Sequence, residues 1–276
     1  MKPLVIYHHN CPDGFTAAWI ANKYLRDAEL RPMDYTDEPP TDDEVRDREV
    51  YVVDFSFKRL VCDRLAAAAE KFIVLDHHKT AEAELVGAQY AIFDMERSGA
   101  GMTWDYFMQS SRPWLVDYVE DRDLWRFRLP NSHAVNAAVL CTPMTIQDWT
   151  ILHDAGVGVA GALGAGAQAF EAMCARKAAD TAHIVQFEDH DVPFVNTQYQ
   201  LASVTAGLLA ESAPFAVAWF QKADSTFQYS LRSRGEDGAD VSAIAKKYGG
   251  GGHRNAAGFT LPVLLTRERW IVVEED

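Results

Sequence analysis

The sequence predicts an α/β protein in two parts: an N-terminal domain built on a parallel sheet, and a smaller α/β domain at the C-terminus. Short apolar runs alternate with helical patterns through the first half, the pattern turns helical from about residue 98, and strands and helices restart near residue 186. Strands that are apolar on both faces and alternate with helices are typical of parallel β-α-β units. We therefore expect a domain at 1–160, a linker helix at 161–185 and a second domain at 186–276.

The elements of the first half follow from local patterns. Strand-like apolar runs and segments with apolar residues at helical spacing alternate. The predicted strands are 4–7, 49–55, 71–76 and 88–93, and the predicted helices between them are 13–25 and 58–70. After the Ala-rich linker, strands and helices alternate again, followed by a Gly-rich turn and the apolar run WIVV near the end.

Composition and cysteine usage are those of a soluble cytoplasmic protein. The chain has 276 residues, 48% of them hydrophobic and 24% charged, and no apolar run in the sequence suggests a signal peptide or a membrane span. The four cysteines are scattered without a C-x-x-C pair, which favours reduced thiols over a disulfide framework. We expect a cytoplasmic protein with no membrane partner.

The charge distribution argues against a long nucleic-acid partner. The net charge is −14, and residues 27–49 carry ten acidic and three basic side chains, a net −7. Binding of a long duplex normally uses a basic stripe. Residues 222–254 run the other way, with six Lys and Arg against four Asp and Glu. A small anion could therefore still bind there.

Ionisable residues follow three of the predicted strands. The sequence reads YHHNCPDG at the end of the first predicted strand, VVDFS at the end of the strand 49–55, and VLDHHKT at the end of the strand 71–76. Ligands of open parallel sheets bind in the crevice outside the carboxyl ends of the strands. We expect these residues to converge there, with an acidic pair from the helical stretch folding over them. The residues concerned are His8 or His9, Asp13, Asp54, Asp76, His77 and His78, and then Asp121 and Asp123.

These residue types predict a divalent metal site. Several carboxylates within reach of each other repel and raise each other's pKa, and one or two cations remove that penalty. Carboxylates and imidazoles without thiolates suit Mn²⁺, Mg²⁺ or Fe²⁺ rather than structural zinc. Plainer explanations exist for single residues, because an Asp at a strand end is often a cap or turn residue. Ser98 is most simply a helix cap, although a phosphate at that helix N-terminus is an alternative.

A Gly-rich segment, KKYGGGGHRNAAGF at 246–259, is the second informative stretch. Four consecutive glycines would let backbone N–H groups close around an anion. His253 and Arg254 follow them, and Arg232 and Arg234 lie in the same domain. Arg can bind phosphate through two parallel hydrogen bonds. A flexible loop and ordinary surface charge are the alternatives.

With these motifs assembled, the chain resembles the DHH phosphoesterase superfamily, in the subgroup with a DHH-associated C-terminal domain. The resemblance covers essentially the whole length. HNCPD at 9–13 is similar to the first motif, Asp54 to the second, DHH at 76–78 to the third and Asp121 to the fourth. GGGGHRNAAGF is similar to the signature of the associated domain.

The resemblance implies two Mn²⁺ ions, with Mg²⁺ or another divalent ion as an alternative, in a cleft between a catalytic DHH domain and a substrate-binding domain. Asp54 would be shared by both ions, and His78 would face the substrate phosphate and stabilise or protonate the leaving group. The implied metal ligands are His9, Asp13, Asp54, His77 and Asp121. The implied substrate-binding residues are Arg232, Gly250, Gly251, Gly252, His253 and Arg254.

One position departs from the family pattern. The first motif often carries a second Asp two residues after the first, where this chain has Phe15. The second metal would then lose a ligand, and Asp123 or a water molecule would have to compensate.

These observations predict a Mn²⁺-dependent phosphoesterase that hydrolyses phosphodiester bonds of short oligonucleotides. A polyphosphatase, or a phosphohydrolase acting on a 3′,5′-bisphosphate or a cyclic dinucleotide, is the alternative on the same site. A non-catalytic nucleotide-sensing module is a further alternative. The expected partner is a short oligonucleotide or nucleotide phosphate, and assembly as a homodimer is left open.

Overall fold

The computed structural model describes residues 1–265. Its contacts divide the chain into two units, Met1–Gln168 and Ala169–Asp276. The apolar run WIVV of the sequence analysis lies outside the described residues. The mixed α/β class with a parallel first sheet and a second, separate sheet is confirmed.

The first unit is built on a five-stranded sheet in the order β2-β1-β3-β4-β5, and every adjacent pair is parallel. Its strands are β1 (Leu4–His8), β2 (Glu29–Met33), β3 (Glu49–Val53), β4 (Lys71–Asp76) and β5 (Ala91–Phe93). Its helices are α1 (Pro12–Leu25), α2 (Asp42–Val45), α3 (Arg59–Ala68), α4 (Lys79–Glu84), α5 (Gly99–Phe107), α6 (Trp114–Asp123), α7 (Ser132–Cys141) and α8 (Ile146–Ala155). The long helix α9 (Val157–Ala179) follows.

Both faces of this sheet are buried, which explains why its central strands are apolar throughout. Successive strand residues point to opposite faces. Val5 and Tyr51 therefore pack in one core cluster, together with α1, α5 and α6. Leu4 and Val50 pack in the other, together with α3. Parallel strands covered on both sides are the rule for β-α-β folds.

The sequence analysis did not predict β2. This strand pairs with β1 alone, is largely exposed and contains Pro32. Proline is tolerated at a sheet edge because the missing N–H is not needed there. β2 lacks a clear alternation of buried and exposed residues, and it lies within the strongly acidic segment 27–49.

The second unit holds a six-stranded sheet in the order β10-β11-β9-β8-β7-β6. Its strands are β6 (His183–Phe187), β7 (His190–Asn196), β8 (Ala216–Gln221), β9 (Phe227–Arg232), β10 (Gly251–His253) and β11 (Ala256–Leu261), and its helices are α10 (Tyr199–Leu209) and α11 (Val241–Lys247). The β7–β8 pair is parallel, joined through α10, and the other pairs are antiparallel.

The predicted linker helix is observed with other bounds. α9 begins at Val157 and ends at Ala179, and residue 183 already begins β6. Gly164 lets α9 approach α7 closely, since an added Cβ would lie 1.6 Å from the carbonyl oxygen of Ala134.

Among the described residues, α9 is the one helix whose length and mean hydropathy, 1.2, would allow it to cross a membrane. This differs from our expectation from the sequence. By itself a single helix of this kind is weak evidence for a membrane span.

Candidate metal centre

The carboxyl ends of β1, β3 and β4 lie side by side at one edge of the parallel sheet. β1 ends at His8, Asp54 directly follows β3, and Asp76 ends β4. Because β3 pairs in parallel with both neighbours, these residues leave the sheet at the same edge. α1 adds Asp13 from its first turn. The structure therefore brings the polar ends of these strands together.

Asp54 lies at the centre of the group and is 1% exposed. Its Oδ1 is 3.2 Å from Nε2 of His77, and its Oδ2 has no hydrogen-bond partner among the described residues. Burial, followed by the negative charges of Asp13 and Asp123, raises the pKa of Asp54. Its φ of 53° is unusual for a residue with a side chain. Such backbone strain is concentrated at functional sites.

Asp13 is held by the N-terminus of α5. The backbone N–H groups of Gly99 and Ala100 donate to its carboxylate at 2.6 and 3.0 Å. An added Cβ at Gly99 would lie 2.4 Å from Cβ of Asp54, so glycine is required for this approach. Ser98 caps the helix by accepting from Gly101 N–H at 3.1 Å. Because Asp13 occupies the first two amides, they are not open to the phosphate considered above.

His77 connects three carboxylates. Its Nε2 lies 3.2 Å from Oδ1 of Asp54, 3.4 Å from Oδ2 of Asp123 and 3.8 Å from Oδ2 of Asp13. Burial and the charge of Asp13 raise the pKa of Asp123, while His77 opposes that shift. This carboxylate, at the last residue of α6, belongs to the group.

The structure does not bring Asp121 to the group. Asp121 accepts hydrogen bonds from the Ser132 hydroxyl at 2.6 Å and from the N–H groups of Arg128 and Leu129 at 2.9 and 3.2 Å. Although burial opposes it, these bonds lower the pKa of Asp121. Residues two positions apart on a helix point in directions that differ by about 200°, so Asp121 and Asp123 cannot face the same site. The expected fourth-motif ligand was Asp121, and the structure instead places Asp123 beside His77.

His8, rather than His9, turns towards Asp54. Nδ1 of His8 lies 3.9 Å from Oδ2 of Asp54. His9 is 46% exposed in its side chain and lies 3.2 Å from Asp34, a carboxylate that Nε2 of His8 also approaches at 3.8 Å. Burial, followed by the charge of His78, lowers the pKa of His8. His8 is the last residue of β1 and His9 lies beyond it; of the two, His8 is the one that approaches Asp54.

Asp76 orients the two histidines that follow it. Its Oδ1 accepts from the backbone N–H groups of His77 and His78 at 2.8 and 3.2 Å, and it lies 2.7 Å from Nδ1 of His78. That hydrogen bond is the main reason why the pKa of His78 is raised. Asp76 is fully buried. Its position, directly before two histidines at a strand end, is the sequence signal for this orienting contact.

The sequence analysis missed Cys11. This residue is the N-cap of α1, and its sulfur belongs to a group with His8 and Asp54. Burial, followed by the negative charge of Asp54, raises the pKa of the Cys11 thiol. The structure thus places a thiol beside two residues of the expected ligand type, and the prediction of a ligand set without thiolates stays a prediction. Among residues 1–265, three sets have ligand atoms within 4.8 Å of one another: His8, Cys11 and Asp54; Asp54, His77 and His78; and Asp13, His77 and Asp123.

Phe15 belongs to the core of the first unit. It is 3% exposed and packs edge-on against Tyr7 and Trp149, with ring centroids 5.8 and 5.0 Å apart. Two residues along α1 from Asp13, it faces away from the carboxylates. At the position where the family's first motif often carries a second Asp, this chain therefore has a core residue.

A cavity of about 340 Å³ adjoins the metal group within the first unit. Three aromatic rings line it: Tyr35 lies 4.8 Å from Phe55, and Phe55 lies 5.0 Å from Phe57, between ring centroids. His8 connects this cavity to the metal group, since its ring is 5.5 Å from that of Tyr35. Lys58 lines the same cavity.

The Gly-rich segment forms β10 and the turn into β11. An added Cβ at Gly250 would lie 2.1 Å from the carbonyl oxygen of Gly258, and Gly252 has a φ of 142°. Gly251 has open space around it. Two of the predicted glycines are therefore required by backbone packing, and their role in anion binding remains a prediction.

The basic residues of the second unit hold its own backbone together. Arg254 donates to the carbonyl oxygens of Glu236 and Gly238 at 2.8 and 3.0 Å, and His253 is exposed. Arg232 donates to the Ser203 hydroxyl at 3.0 and 3.2 Å. Burial lowers the pKa of Arg232. Their predicted contacts with substrate remain a prediction.

Comparison with known proteins gives one curated relative and several similar folds. No protein-family model matches the chain. "Uncharacterized protein R106" of Acanthamoeba polyphaga mimivirus is 29% identical over an alignment 286 residues long that covers 92% of this chain and 66% of that protein. The chain thus spans just under two thirds of the length of this relative.

Among solved structures, the pGpG-specific phosphodiesterase PggH from Vibrio cholerae matches with a TM-score of 0.56 at 11% identity, over 95% of this chain and 93% of PggH. RecJ from Thermus thermophilus, in complex with Mn²⁺, matches with a TM-score of 0.48 at 15% identity, over 94% of this chain and 49% of RecJ. At these identities the matches show similarity of fold alone, and we infer that similarity from PggH, whose TM-score is above 0.5. The chain is therefore similar in fold to PggH over nearly its whole length.

Proposed function

We propose that this chain is a metal-dependent phosphoesterase that hydrolyses phosphodiester bonds of short oligonucleotides. The observation that carries the proposal is the convergence of Asp13, Asp54, His77 and Asp123 at the carboxyl edge of a parallel sheet. Ligand sites of this fold class lie at that edge.

The residues fit a divalent cation. Oδ2 of the buried Asp54 has no hydrogen-bond partner in the described part of the chain, and its neighbours raise its pKa in the absence of a cation. A buried carboxylate oxygen without a partner is costly unless a cation or proton satisfies it. Mn²⁺ is the proposed ion, and Mg²⁺ or another divalent ion suits the carboxylate and imidazole ligands. Such ions would supply a nucleophile at neutral pH and neutralise charge on the phosphoryl oxygens.

The chain's own residues hold and orient the reacting groups. The α5 amides fix Asp13, and Asp76 fixes His78 through Nδ1. Nε2 of His78 therefore remains for a hydrogen bond to the phosphate or to the leaving oxygen. The side chain of His78 is 38% exposed, so substrate can reach it.

The aromatic cavity favours a substrate that carries a nucleoside. Tyr35 is 61% exposed and offers a ring to a ligand beside the metal group, with the buried Phe55 and Phe57 packed behind it, and bases stack on aromatic rings with about 1–3 kcal/mol each. A polyphosphate chain would gain nothing from these rings. The likeness to PggH, whose name gives a dinucleotide as its substrate, points in the same direction. The net charge of −14 favours short substrates over long ones.

Two other functions share this scaffold. A phosphohydrolase acting on a 3′,5′-bisphosphate or a cyclic dinucleotide would use the same site, and a nucleotide-sensing module would bind without turnover. Substrate contacts from Arg232, His253 and Arg254, a cytoplasmic location and the DHH-associated character of the second domain are further parts of the proposal.

The test is hydrolysis of 5′-phosphorylated dinucleotides with Mn²⁺ or Mg²⁺, beside polyphosphate, a nucleoside 3′,5′-bisphosphate and a cyclic dinucleotide. We expect Asp54→Asn to lower turnover of the dinucleotide by about 100-fold or more, since a metal ligand is lost. The matched control is Asp43→Asn, a carboxylate whose side chain is 89% exposed. Tyr35→Ala should raise KM by about 10-fold with little change in kcat.

Release of phosphate from polyphosphate with an untouched dinucleotide would overturn the substrate assignment. Tight nucleotide binding with no hydrolysis of any substrate would favour the sensing module. Full activity of Asp54→Asn would refute the site itself.

A further inference from the structure

We propose that Cys11, His8 and Asp54 form a thiolate-containing metal site that selects Zn²⁺, Co²⁺ or Fe²⁺ over Mg²⁺ and Mn²⁺. The inference rests on the metal-binding part of the proposed function and concerns this ligand set alone, so Mn²⁺ remains the ion proposed for the sulfur-free set of Asp13, His77 and Asp123. It assigns a ligand role to a cysteine that the sequence pattern treats as an ordinary thiol.

The first observation is the arrangement of three ligand atoms. The sulfur of Cys11, a ring nitrogen of His8 and a carboxylate oxygen of Asp54 all lie within 4.8 Å of one another. In a tetrahedral Zn²⁺ site, bond lengths of about 2.0–2.3 Å place neighbouring ligand atoms about 3.3–3.6 Å apart. Side-chain adjustments of about 1 Å would close the remaining gap.

The second observation is independent of the cysteine. Asp54 is 1% exposed, and its Oδ2, 3.9 Å from Nδ1 of His8, has no hydrogen-bond partner among the residues described. Buried polar atoms are nearly always satisfied, and each exception requires an explanation such as a bound ion. A cation between His8 and Asp54 would satisfy this oxygen, and Cys11 is the third group within reach.

Local structure fixes the three side chains around that point. His8 is the last residue of β1, Asp54 follows the neighbouring β3, and Cys11 is the N-cap residue at the start of α1. The three sit on rigid element ends. Three protein ligands leave a fourth position for water or substrate, as in catalytic rather than structural zinc sites.

The chemistry of sulfur sets the ion preference. Thiolates are soft ligands and favour Zn²⁺ and later first-row ions, whereas oxygen ligands suit Mg²⁺ and Mn²⁺. The neighbouring set of Asp13, His77 and Asp123 contains no sulfur. The two sets therefore differ in softness, and the site with Cys11 is the one that discriminates between ions.

The experiment is a Co²⁺ titration of the metal-free full chain, read as absorbance. A thiolate bound to Co²⁺ gives a charge-transfer band in the near ultraviolet, which carboxylate and imidazole ligands do not give. We expect the band in the wild type and in Cys141→Ser, an exposed cysteine that serves as the matched control. We expect its loss in Cys11→Ser, and a fall of about 10-fold or more in the Zn²⁺-to-Mn²⁺ affinity ratio of Cys11→Asp.

A second measurement needs no variant. Zn²⁺ should protect one thiol of the native wild-type protein from a thiol-specific reagent, whereas Mg²⁺ should not. Co²⁺ binding to the wild type without a thiolate band, or an unchanged band in Cys11→Ser, would overturn the inference while leaving the phosphoesterase proposal intact. Failure of the wild type to bind any divalent ion would overturn both.

Discussion

Replacing Asp121 separates a structural carboxylate from the metal group two residues away. The Asp121 carboxylate is 5% exposed and accepts from the Ser132 hydroxyl and two backbone N–H groups. Hydrogen bonds to a charged group contribute about 1.5–3 kcal/mol each, and partners left unsatisfied after truncation cost about 1–3 kcal/mol each. Since such terms are not additive, we expect Asp121→Ala to lower the free energy of unfolding by about 3–5 kcal/mol.

The assay is urea unfolding followed by tryptophan fluorescence, with Asp123→Ala as the matched control from the same turn of α6. Asp123 makes no comparable set of hydrogen bonds among the described residues, and its raised pKa shows that its charge is unfavourable in the metal-free protein. Asp123→Ala should therefore leave stability unchanged or improve it, while lowering divalent-ion affinity. Asp121→Ala should lower stability and leave the divalent-ion affinity unchanged.

The pH dependence of Asp121 has a definite sign. Its folded pKa is lowered, so its contribution is fully present above the unfolded pKa of about 3.9 and is lost as the pH falls through the folded pKa. The stability difference between wild type and Asp121→Asn should shrink as the solution is acidified below about pH 4. A loss of less than about 0.5 kcal/mol in Asp121→Ala at neutral pH, with abolished metal binding, would refute this assignment and restore Asp121 as a ligand.

Three further changes test the surroundings of the site. Gly99→Ala places a Cβ 2.4 Å from Cβ of Asp54, so we expect a loss of about 1–3 kcal/mol in urea unfolding together with weaker metal binding. Asp76→Asn weakens the acceptor of His78, so kcat should fall by about 10-fold or more while folding persists by circular dichroism; an unchanged kcat would remove Asp76 as a positioning residue. Gly250→Ala places a Cβ 2.1 Å from a carbonyl oxygen of β11, and a Tm equal to that of the wild type would contradict the packing role of this glycine.

The parallel sheet and the convergence of its strand ends could be predicted because both depend on local signals. A buried parallel strand is apolar on both faces, and a carboxylate after it has a defined place at the sheet edge. Asp54, Asp76 and His77 satisfy both conditions. Ser98 could be identified as a cap for the same reason, since its three-residue spacing to Gly101 is a local property.

Which of two neighbouring residues faces the site could not be predicted, because this depends on the direction in which each side chain leaves the backbone. His9 directly follows His8, the last residue of β1, and Asp121 and Asp123 differ by about half a helical turn. A match to a sequence motif does not determine the side-chain direction in either pair. Cys11 was missed for another reason. It becomes a neighbour of Asp54 only when β1 and β3 pair, and it belongs to no C-x-x-C motif that would indicate a ligand role.

The most direct test of the central claim is to count the divalent ions bound by the purified chain. Titration with Mn²⁺, followed by the electron paramagnetic resonance signal of the free ion, gives the number of sites and their affinity. We expect one or two sites in the wild type and in Asp43→Asn, and loss or a weakening of at least about 10-fold in Asp54→Ala. Equal Mn²⁺ binding by Asp54→Ala and the wild type, or none by either, would contradict it.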